Sequence, residues 1–545
     1  EQSDAMGAYT RWIYDTRGYV SRISGSASQG GGCGSCGQAT GSGENLGDYV
    51  YSDAYLLVSF TNLNLQTTRY EHDAAGRRVK TIDARNYETR YAYDDTERQV
   101  SVTDANGNET SYGYTNAGRL ASTTNGAGET TVYGYDANGR MDSVIAATGA
   151  TTQTAYDSMD RTLRVIDPLG RATEYAYDLN GNRVSATTPD GVATSYRYNE
   201  QDHLAESVSD PAGLNLSTQN TYDAAGRLIR AVNDPAGLAL TTVYGYNNAD
   251  RLTSVTSPAG VVTTYSYDAN GRRTSVRVGG NNNINSSSTD HCSLTTVHYY
   301  NAAGWVTQVS DGFTTTEYCY DNVGNRICEK VSGRAPIYNF YDATNHLIRS
   351  EQAADGVTVT RQYVVDGVGR AIEQTDPAGK VSRYEYDGAN RVVAATNPLG
   401  ETTTYQYDRA GRQTGTLFGN GSSRTSQYDA AGQLVSVQGG PEGTLRYAYD
   451  AMSRLLTTTD ANGKTKSNVY DRLGRMTSAI NEMGQATTFR YDRLGRQIAL
   501  ADANASNKSS TDIPVCEESE KGSTDILVCE KSEKGGTDIP VCEKS

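Results

Sequence analysis

The stretch Thr263-Thr264-Tyr265-Ser266-Tyr267-Asp268-Ala269-Asn270-Gly271-Arg272 decides how this chain folds, because variants of it recur along almost the whole sequence. Tyr265 and Tyr267 are two residues apart and therefore share one face of a strand. The residues that follow predict a hairpin with a type I turn, in which Gly271 takes the left-handed conformation of a G1 bulge. We expect Asp268 to bond the turn backbone and to pair with Arg272 across the closing position.

The repeat is regular enough to be counted. We take the second aromatic of each copy as its anchor, and the twenty anchors stand at positions 72, 93, 114, 135, 156, 177, 198, 222, 246, 267, 300, 320, 341, 365, 386, 407, 428, 449, 470 and 491. Most steps are 21 residues, and 18 of the 20 anchors are Tyr; His72 and Val365 are the exceptions. The fourth residue after the anchor is Gly, Asp or Asn in 18 units, and these types tolerate positive φ best. Glu97 and Ser453 depart from this rule.

A second turn separates the units. Pro at its second position and Gly at its fourth fit a type I turn followed by positive φ, as in segments 167–170, 257–260, 376–379 and 397–400. Two copies, at 210–214 and 234–238, carry three extra residues, which we place in this turn. With early copies at 12–18 and 49–53, the sequence predicts about 22 hairpins in an all-β, antiparallel meander.

Composition predicts how such a long sheet closes. The chain has 40 Tyr and only 5 Phe, and Tyr suits a partly wet surface better than a dry core. About 44 strands at roughly 4.8 Å spacing make a ribbon of about 210 Å, which must curl. We predict two or three circuits of about 70–105 Å, with a diameter of roughly 22–34 Å. The result is a spiral hollow shell whose water-filled space is lined by Tyr with free hydroxyls.

Three regions are predicted. Residues 1–68 hold degenerate repeats with a Gly/Ser-rich loop at 24–47, and residues 69–505 form the shell, with an inserted surface loop at about 278–297. Residues 506–545 repeat every 13 residues and are expected to be a disordered tail. Because the chain starts at Glu1 without a signal peptide, we expect an excerpt or a processed fragment.

Net charge and hydropathy limit the kinds of partner that the chain is expected to bind. The formal net charge of −15 argues against a nucleic-acid groove. No segment is apolar for long enough to predict a membrane span. We find no Ser-His-Asp signature, phosphate loop or dinucleotide fingerprint. The sequence therefore predicts no catalytic residue, no cofactor-binding residue and no metal ligand, and no cofactor.

The cysteines and histidines do not change this prediction. Cys33-Gly34-Ser35-Cys36 is an isolated CxxC that favours a local disulfide or free thiols, since zinc needs two more ligands. Cys319 and Cys328 flank a turn, and a bridge and free thiols both remain open. The tail adds an odd set, Cys516, Cys529 and Cys542. The five histidines have no ligand spacing; they are His72, His203, His291, His298 and His346.

Two segments look superficially like calcium loops, Asp104-Ala105-Asn106-Gly107-Asn108 and Asp178-Leu179-Asn180-Gly181-Asn182. Their Gly stands at position 4, whereas an EF-hand loop needs Gly at position 6. Ordinary turn chemistry is the better interpretation of both.

The motif Tyr-Asp-x-x-Gly-Arg at 21-residue spacing resembles the RHS/YD-repeat family over roughly residues 9–497. The resemblance implies a spiralling β-sheet that forms a hollow shell. In similar bacterial proteins, including the B/C components of Tc toxins, the shell encloses a toxic C-terminal domain, and teneurins carry a similar shell on animal cells. This sequence has no RHS core segment and no toxin domain after its last repeat.

The resemblance gives the leading functional hypothesis. It implies a structural, non-catalytic shell of a secreted or cell-surface protein, with an encapsulated C-terminal toxin as one expected partner. The alternative is an adhesion module, in which Tyr rows bind a cell-surface glycan or protein. For a hydrolase, a third class, the sequence offers no residue constellation.

Overall fold

A computed structural model describes residues 2–3, 9–16, 18–26, 44–213, 215–279, 294–354, 356–440, 443–492 and 495–502. These residues form strands and turns and no helix. Several predictions concern segments outside this part of the chain: the tail at 506–545, the Cys33/Cys36 motif, most of the loop at 24–47 and most of the insertion at 278–297. The division into three regions stays a prediction.

The first circuit of the sheet begins with these strands: β1 Gln2–Ser3, β2 Tyr9–Tyr14, β3 Val20–Ser26, β4 Glu44–Tyr51, β5 Leu57–Thr61, β6 Thr67–His72, β7 Arg78–Ile82, β8 Glu88–Tyr93, β9 Gln99–Thr103, β10 Glu109–Tyr114, β11 Leu120–Thr124, β12 Thr130–Tyr135, β13 Met141–Ile145, β14 Thr151–Tyr156, β15 Thr162–Ile166, β16 Ala172–Tyr177, β17 Arg183–Thr187, β18 Ala193–Tyr198, β19 Leu204–Ser209, β20 Leu216–Tyr222, β21 Leu228–Asn233, β22 Leu240–Tyr246 and β23 Leu252–Thr256. The chain continues with β24 Val262–Tyr267, β25 Arg273–Val278, β26 Leu294–Tyr300, β27 Val306–Ser310, β28 Thr315–Tyr320, β29 Arg326–Val331, β30 Ile337–Tyr341, β31 Leu347–Ala354, β32 Val357–Val365, β33 Ala371–Thr375, β34 Val381–Tyr386, β35 Val392–Thr396, β36 Thr402–Tyr407, β37 Gln413–Leu417, β38 Ser423–Tyr428, β39 Leu434–Gln438, β40 Thr444–Tyr449, β41 Leu455–Thr459, β42 Thr465–Tyr470, β43 Met476–Ile480, β44 Ala486–Tyr491 and β45 Gln497–Asp502.

All 45 strands belong to one sheet, and each strand pairs antiparallel with the next one along the chain. The ribbon is therefore a continuous meander, as predicted, and its strands number 45 where about 44 were expected. Apolar and aromatic residues alternate with exposed ones, as in β24, where Tyr265 and Tyr267 are half-buried and Ser266 is exposed. This period of two is the one that an amphipathic strand requires.

Each anchor is followed by the predicted hairpin, which we call the Tyr-Asp turn. In the turn at Asp268–Arg272, the Gly271 amide donates to the Asp268 carbonyl and the Asp268 amide donates to the Arg272 carbonyl, both over 3.0 Å. The register shifts between Ser266 and Tyr267, which is the expected bulge. Positive φ occurs at the fourth position of all twenty turns, including Glu97 (66°) and Ser453 (64°). The turn therefore imposes its backbone on these two residues as well.

The turn between units, called here the connecting turn, has the same geometry. The Gly170 amide donates to the Asp167 carbonyl over 2.9 Å, and Gly170 has a φ of +79°. The three-residue insertions do fall in this turn, between β19 and β20 and between β21 and β22. The connecting turns that the structure describes therefore lie along one edge of the ribbon, and the described Tyr-Asp turns lie along the other.

The ribbon winds back on itself, because connecting turns of the first half contact Tyr-Asp turns of the second half. Arg85 Nη2 donates to the Gly367 carbonyl over 3.0 Å, and strands β8 to β32 lie between these two turns, 25 in all. Asp190 and Arg454 are separated by strands β18 to β40, which are 23. At roughly 4.8 Å per strand, one circuit measures about 110–120 Å and has a diameter of about 35–38 Å. The ribbon therefore makes about two circuits, each slightly wider than predicted.

The sheet encloses no dry core. Among the described residues only three hydrophobic side chains are fully buried, Val232, Cys328 and Val437. Packed sheets face each other at about 10 Å, whereas a circular circuit of this length places its walls about 35 Å apart. The architecture is a spiral, hollow β-shell. Which sheet face lines its interior stays a prediction.

Candidate functional site

The wall is held together by contacts that repeat at every Tyr-Asp turn. The Asp268 carboxylate accepts the Arg272 backbone amide over 2.9 Å with Oδ1 and the Arg272 Nε over 2.6 Å with Oδ2. This confirms the predicted turn bond and the predicted ion pair. All twelve turns with Asp first and Arg last form this pair at 2.5–2.7 Å.

The arginine of each turn also reaches the next unit. Arg272 Nη1 donates to the Asn301 carbonyl over 2.9 Å, and the Arg272 guanidinium lies 4.9 Å from the centre of the Tyr300 ring. The same placement over the next anchor ring occurs in all thirteen units in which an Arg is followed by another repeat. A cation over an aromatic face is attractive, so each turn is tied to its neighbour.

The anchor hydroxyl ties the unit to the preceding strand. Tyr267 Oη donates to the Leu252 carbonyl over 2.7 Å, at the first residue of β23. All eighteen anchor tyrosines make this bond at 2.7–3.0 Å. The prediction of free hydroxyls was wrong for the anchors, because the ring lies across the neighbouring strand and brings Oη to its end. Phe cannot donate this bond.

Where Arg is missing, other side chains take its place. His203 packs against the Tyr222 ring at 4.8 Å, and Trp305 packs against Tyr320 at 5.3 Å. His346 Nδ1 lies 3.3 Å from Asp342 Oδ2. These histidines therefore fill the arginine position of a repeat, and the sequence already placed them there.

A second set of contacts joins the two circuits, and we call it the seam. Arg391 Nη1 donates to Glu129 Oε1 over 2.8 Å, and both side chains are largely buried. The Gly367 amide donates to Asn106 Oδ1 over 3.0 Å. Further polar contacts of the seam are Asn64–Asp321, Gln66–Asp342, Arg85–Asp342, Arg171–Asp450, Asp190–Arg454 and Asp210–Arg472. No sequence motif predicted these contacts, because partners about 260–280 residues apart depend on the circumference of the spiral.

The turn carboxylates are electrostatically adapted to their partners. The Arg140 side chain and its backbone amide lower the pKa of Asp136, against a smaller opposing effect of burial. The pKa of Asp157 is lowered mainly by the Arg161 backbone amide. Burial raises the pKa of the anchor hydroxyls Tyr386 and Tyr407. Charged Asp and neutral Tyr are therefore the forms that the folded wall favours.

The structure tests the interpretations of one cysteine pair and of the calcium-like loops. Cys319 and Cys328 stand directly opposite each other in β28 and β29 and form a disulfide, with Cα atoms 4.8 Å apart. Asp104 Oδ1 accepts the backbone amides of Asn106 and Asn108, both over 2.9 Å, which is turn chemistry. No group of three or more potential metal ligands occurs among the described residues. That the chain has no catalytic residue and no cofactor-binding residue stays a prediction.

The geometry places the chain in one structural class, the spiral shells built from tyrosine-aspartate hairpins. Sequence comparison agrees with this class. The Teneurin YD-shell family profile matches residues 96–234, and the RHS Repeat profile matches residues 72–109, 222–261, 246–282, 365–402, 386–423, 428–465 and 470–506. These matches show RHS/YD repeats in the segments named.

A solved structure of a Tc toxin shows a similar fold. A chain of the Photorhabdus luminescens Tc holotoxin pore, carrying the mutation TccC3-D651A, aligns with a TM-score of 0.57 and 16% identity. The alignment covers 89% of this chain and 30% of that one. A TcdB2-TccC3 crystal structure aligns over 90% of this chain and 33% of its own, with a TM-score of 0.48 and 15% identity. A comparison with curated proteins gave no match. The chain thus spans about a third of the length of these structural relatives.

Proposed function

We propose that this chain is the non-catalytic wall of a secreted or cell-surface shell that holds another polypeptide segment inside it. The observation that carries the proposal is a spiral sheet that winds back on itself and that has, among the described residues, only three buried hydrophobic side chains. A space about 35 Å across is wide enough for an unfolded or partly folded chain. Among the described residues no helix is long and apolar enough to cross a bilayer.

The resemblance to toxin-carrying shells suggests which cargo to test. In those proteins the cargo is a C-terminal toxic domain, and a segment following the repeats is therefore the proposed occupant. The repeated polar contacts support a structural role, because they satisfy backbone and side-chain groups of the wall itself. The anchor tyrosines and the turn arginines make their polar contacts within the wall, as Tyr267 and Arg272 do.

Two measurements test the proposal. Negative-stain electron microscopy of the full chain should show a ring with a stain-filled centre, and a solid particle would contradict the hollow shell. For the cargo, an unfolded polypeptide is fused after Ser545, and its digestion by trypsin is compared with that of the same polypeptide added as a separate molecule. Protection of the fused copy supports the container, whereas equal digestion of both copies contradicts it.

The alternative, an adhesion module, has less support at the anchor tyrosines. Stacking on a sugar needs an accessible ring face, and the anchor rings carry the preceding arginine over one face, as Arg272 does over Tyr300. Binding of the full chain to a glycan array would support this alternative. Loss of that binding in a Tyr→Ala variant of an exposed residue such as Tyr299 would identify the binding surface.

A further inference from the structure

The seam uses one edge of the ribbon in the first circuit and the opposite edge in the second circuit. Each edge therefore has one stretch that lies outside the seam. Connecting turns of the first circuit contact Tyr-Asp turns of the second circuit, as in Glu129–Arg391 and Asp190–Arg454. The seam contacts described above involve neither the Tyr-Asp turns of the first circuit nor the connecting turns of the second circuit. We call these two stretches of edge the Tyr-Asp rim and the connecting rim.

Exposure follows this division on the Tyr-Asp edge. The two tip residues of ten successive Tyr-Asp turns are exposed, from Ala74-Ala75 through to Ala269-Asn270. In later turns that meet the seam, such as those at Gly367-Val368 and Gly388-Ala389, both tip residues are partly or fully covered. Coverage of the tips therefore increases where the first circuit lies alongside, although both tip residues of one such turn, Arg409 and Ala410, are exposed.

The other edge shows the reverse order. Connecting-turn tips of the second circuit are exposed at 312–313, 377–378, 398–399, 419–420, 461–462 and 482–483. Tips of the first circuit are more covered, since both residues are partly buried at 63–64 and 84–85 and one is at 105–106, although both are exposed at 126–127. The connecting rim is thus the uncovered counterpart of an edge that is already docked elsewhere in the molecule.

Both rims present large apolar side chains to water. Leu179 (95% exposed) and Met159 (62%) lie on the Tyr-Asp rim, and Leu399 (81%) and Met483 (82%) lie on the connecting rim. Met452 has the same place in its turn as Met159, but the seam partly covers it. Single exposed apolar residues are ordinary on a protein surface, and Leu65 in a seam turn is 84% exposed as well, so these side chains mark accessible positions on the rims and do not by themselves indicate docking.

We propose that the Tyr-Asp rim of one copy of this chain docks on the connecting rim of a second copy, which continues the spiral with the contacts of the seam. The argument is continuity, because the two edge types already bind each other within one chain. Such an interface is heterologous: it uses two different patches and leaves a free rim at each end of the pair. It therefore differs from a two-fold dimer, in which one patch meets itself.

The test uses two paired variants of the full chain. Met159→Glu with Leu179→Glu disables the Tyr-Asp rim, and Leu399→Glu with Met483→Glu disables the connecting rim. All four side chains lie at exposed turn tips, so folding is expected to be unaffected, and circular dichroism checks this. Val132→Glu with Val243→Glu, at exposed mid-strand positions, is the matched control.

Sedimentation velocity is measured from about 1 to about 100 μM, the range of weak interfaces, at about 0.15 M salt, where the Debye length of about 8 Å screens the net charge. The native chain and the control should associate as concentration rises, and each rim variant alone should stay monomeric. An equimolar mixture of the two rim variants should form a 1:1 dimer and nothing larger, because one intact rim of each kind remains. A native chain that stays monomeric throughout, rim variants that still self-associate, or a mixture that forms no dimer would overturn the proposal.

Discussion

Arg391 and Glu129 are 262 positions apart in the chain, yet the Arg391 guanidinium donates to the Glu129 carboxylate over 2.8 Å. Arg391 also pairs with Asp387 in its own turn at 2.7 Å. One side chain therefore joins a local hairpin to the other circuit of the shell. The local pair belongs to the repeat, and the distant pair belongs to the seam.

This double role predicts what happens when the distant partner is lost. Glu129→Gln removes a charge-assisted bond between largely buried groups and should cost about 1–3 kcal/mol of stability. Hydrogen exchange should rise at the turns around Asn125 and Asp387 and stay unchanged near Tyr267. Glu109→Gln, at an exposed strand residue, is the control; an equal effect of both substitutions would show that the seam pair contributes nothing.

The anchor hydroxyls predict a cost for each Tyr→Phe substitution. Tyr267→Phe leaves the Leu252 carbonyl without its donor and should lower the free energy of unfolding by about 0.5–1.5 kcal/mol. Urea denaturation measures this change. Tyr299→Phe is the control. Tyr299 is half-exposed and is not an anchor, so its substitution should have little effect on the free energy of unfolding. If both variants are equally stable, the anchor bond has no net value.

The fourth position of the Tyr-Asp turn predicts both losses and gains. Gly271→Val should destabilise its hairpin, because a β-branched residue resists positive φ by about 1–2 kcal/mol. An added Cβ would also meet Arg251 Nη2 at 2.8 Å. Hydrogen exchange should increase in neighbouring units and not around Tyr93, since repeats contact only their neighbours.

Glu97→Gly should instead stabilise the protein by up to about 1 kcal/mol, because Glu97 already has a φ of 66°. The melting temperature measures the gain. Ala75→Gly is the control, since Ala75 precedes the left-handed position of its own turn and gains nothing from glycine. A melting temperature that falls in the Glu97→Gly variant would contradict the argument.

The parts of the fold that could be predicted are those that sequence neighbours decide. The bulged turn at Gly271, the Asp268–Arg272 pair and the alternation of Tyr265 with Ser266 involve residues no more than a few positions apart. The bond from Tyr267 to Leu252 spans 15 residues and depends on how far a ring reaches across a neighbouring strand. The free-hydroxyl prediction failed at that step, because spacing alone does not report where a side chain ends.

The seam was beyond prediction for a different reason. Small changes in twist at each strand accumulate over 23–25 strands, so the pairing of Glu129 with Arg391 depends on the circumference and not on either local motif. The Cys319–Cys328 disulfide could be predicted only in part. Its hairpin was evident, but the one-residue register that brings the two thiols opposite depends on the bulge between Cys319 and Tyr320.

Lowered carboxyl pKa values predict acid sensitivity. Hydrogen bonds from Arg140 lower the pKa of Asp136 in the folded state below its unfolded value, which is about 3.9. The folded state therefore binds fewer protons in this window, and stability is complete above about pH 4 and falls as the pH drops through the lowered pKa values. The free energy of unfolding, measured by urea at several pH values, should decrease below about pH 4. Asp136→Asn should weaken that dependence for its own hairpin, and an unchanged stability between pH 5 and pH 3 would contradict the assignment.

Raised tyrosine pKa values predict sensitivity at the opposite end of the pH scale. Burial raises the pKa of Tyr386, whose hydroxyl donates to the Ala371 carbonyl over 2.8 Å. The unfolded chain loses this proton near pH 10, whereas the folded chain retains it to higher pH. Stability is therefore complete below about pH 10 and is lost as the pH rises through the folded pKa, because the tyrosinate is better solvated in the unfolded chain and cannot donate the bond. Absorbance of tyrosinate, followed together with circular dichroism, should show that loss of the sheet coincides with ionisation of the anchors whose pKa is raised, which are Tyr198, Tyr222, Tyr320, Tyr341, Tyr386, Tyr407 and Tyr449. Ionisation of all tyrosines near pH 10 with the sheet intact would show that the anchor hydroxyls are accessible and that their bonds do not hold the wall.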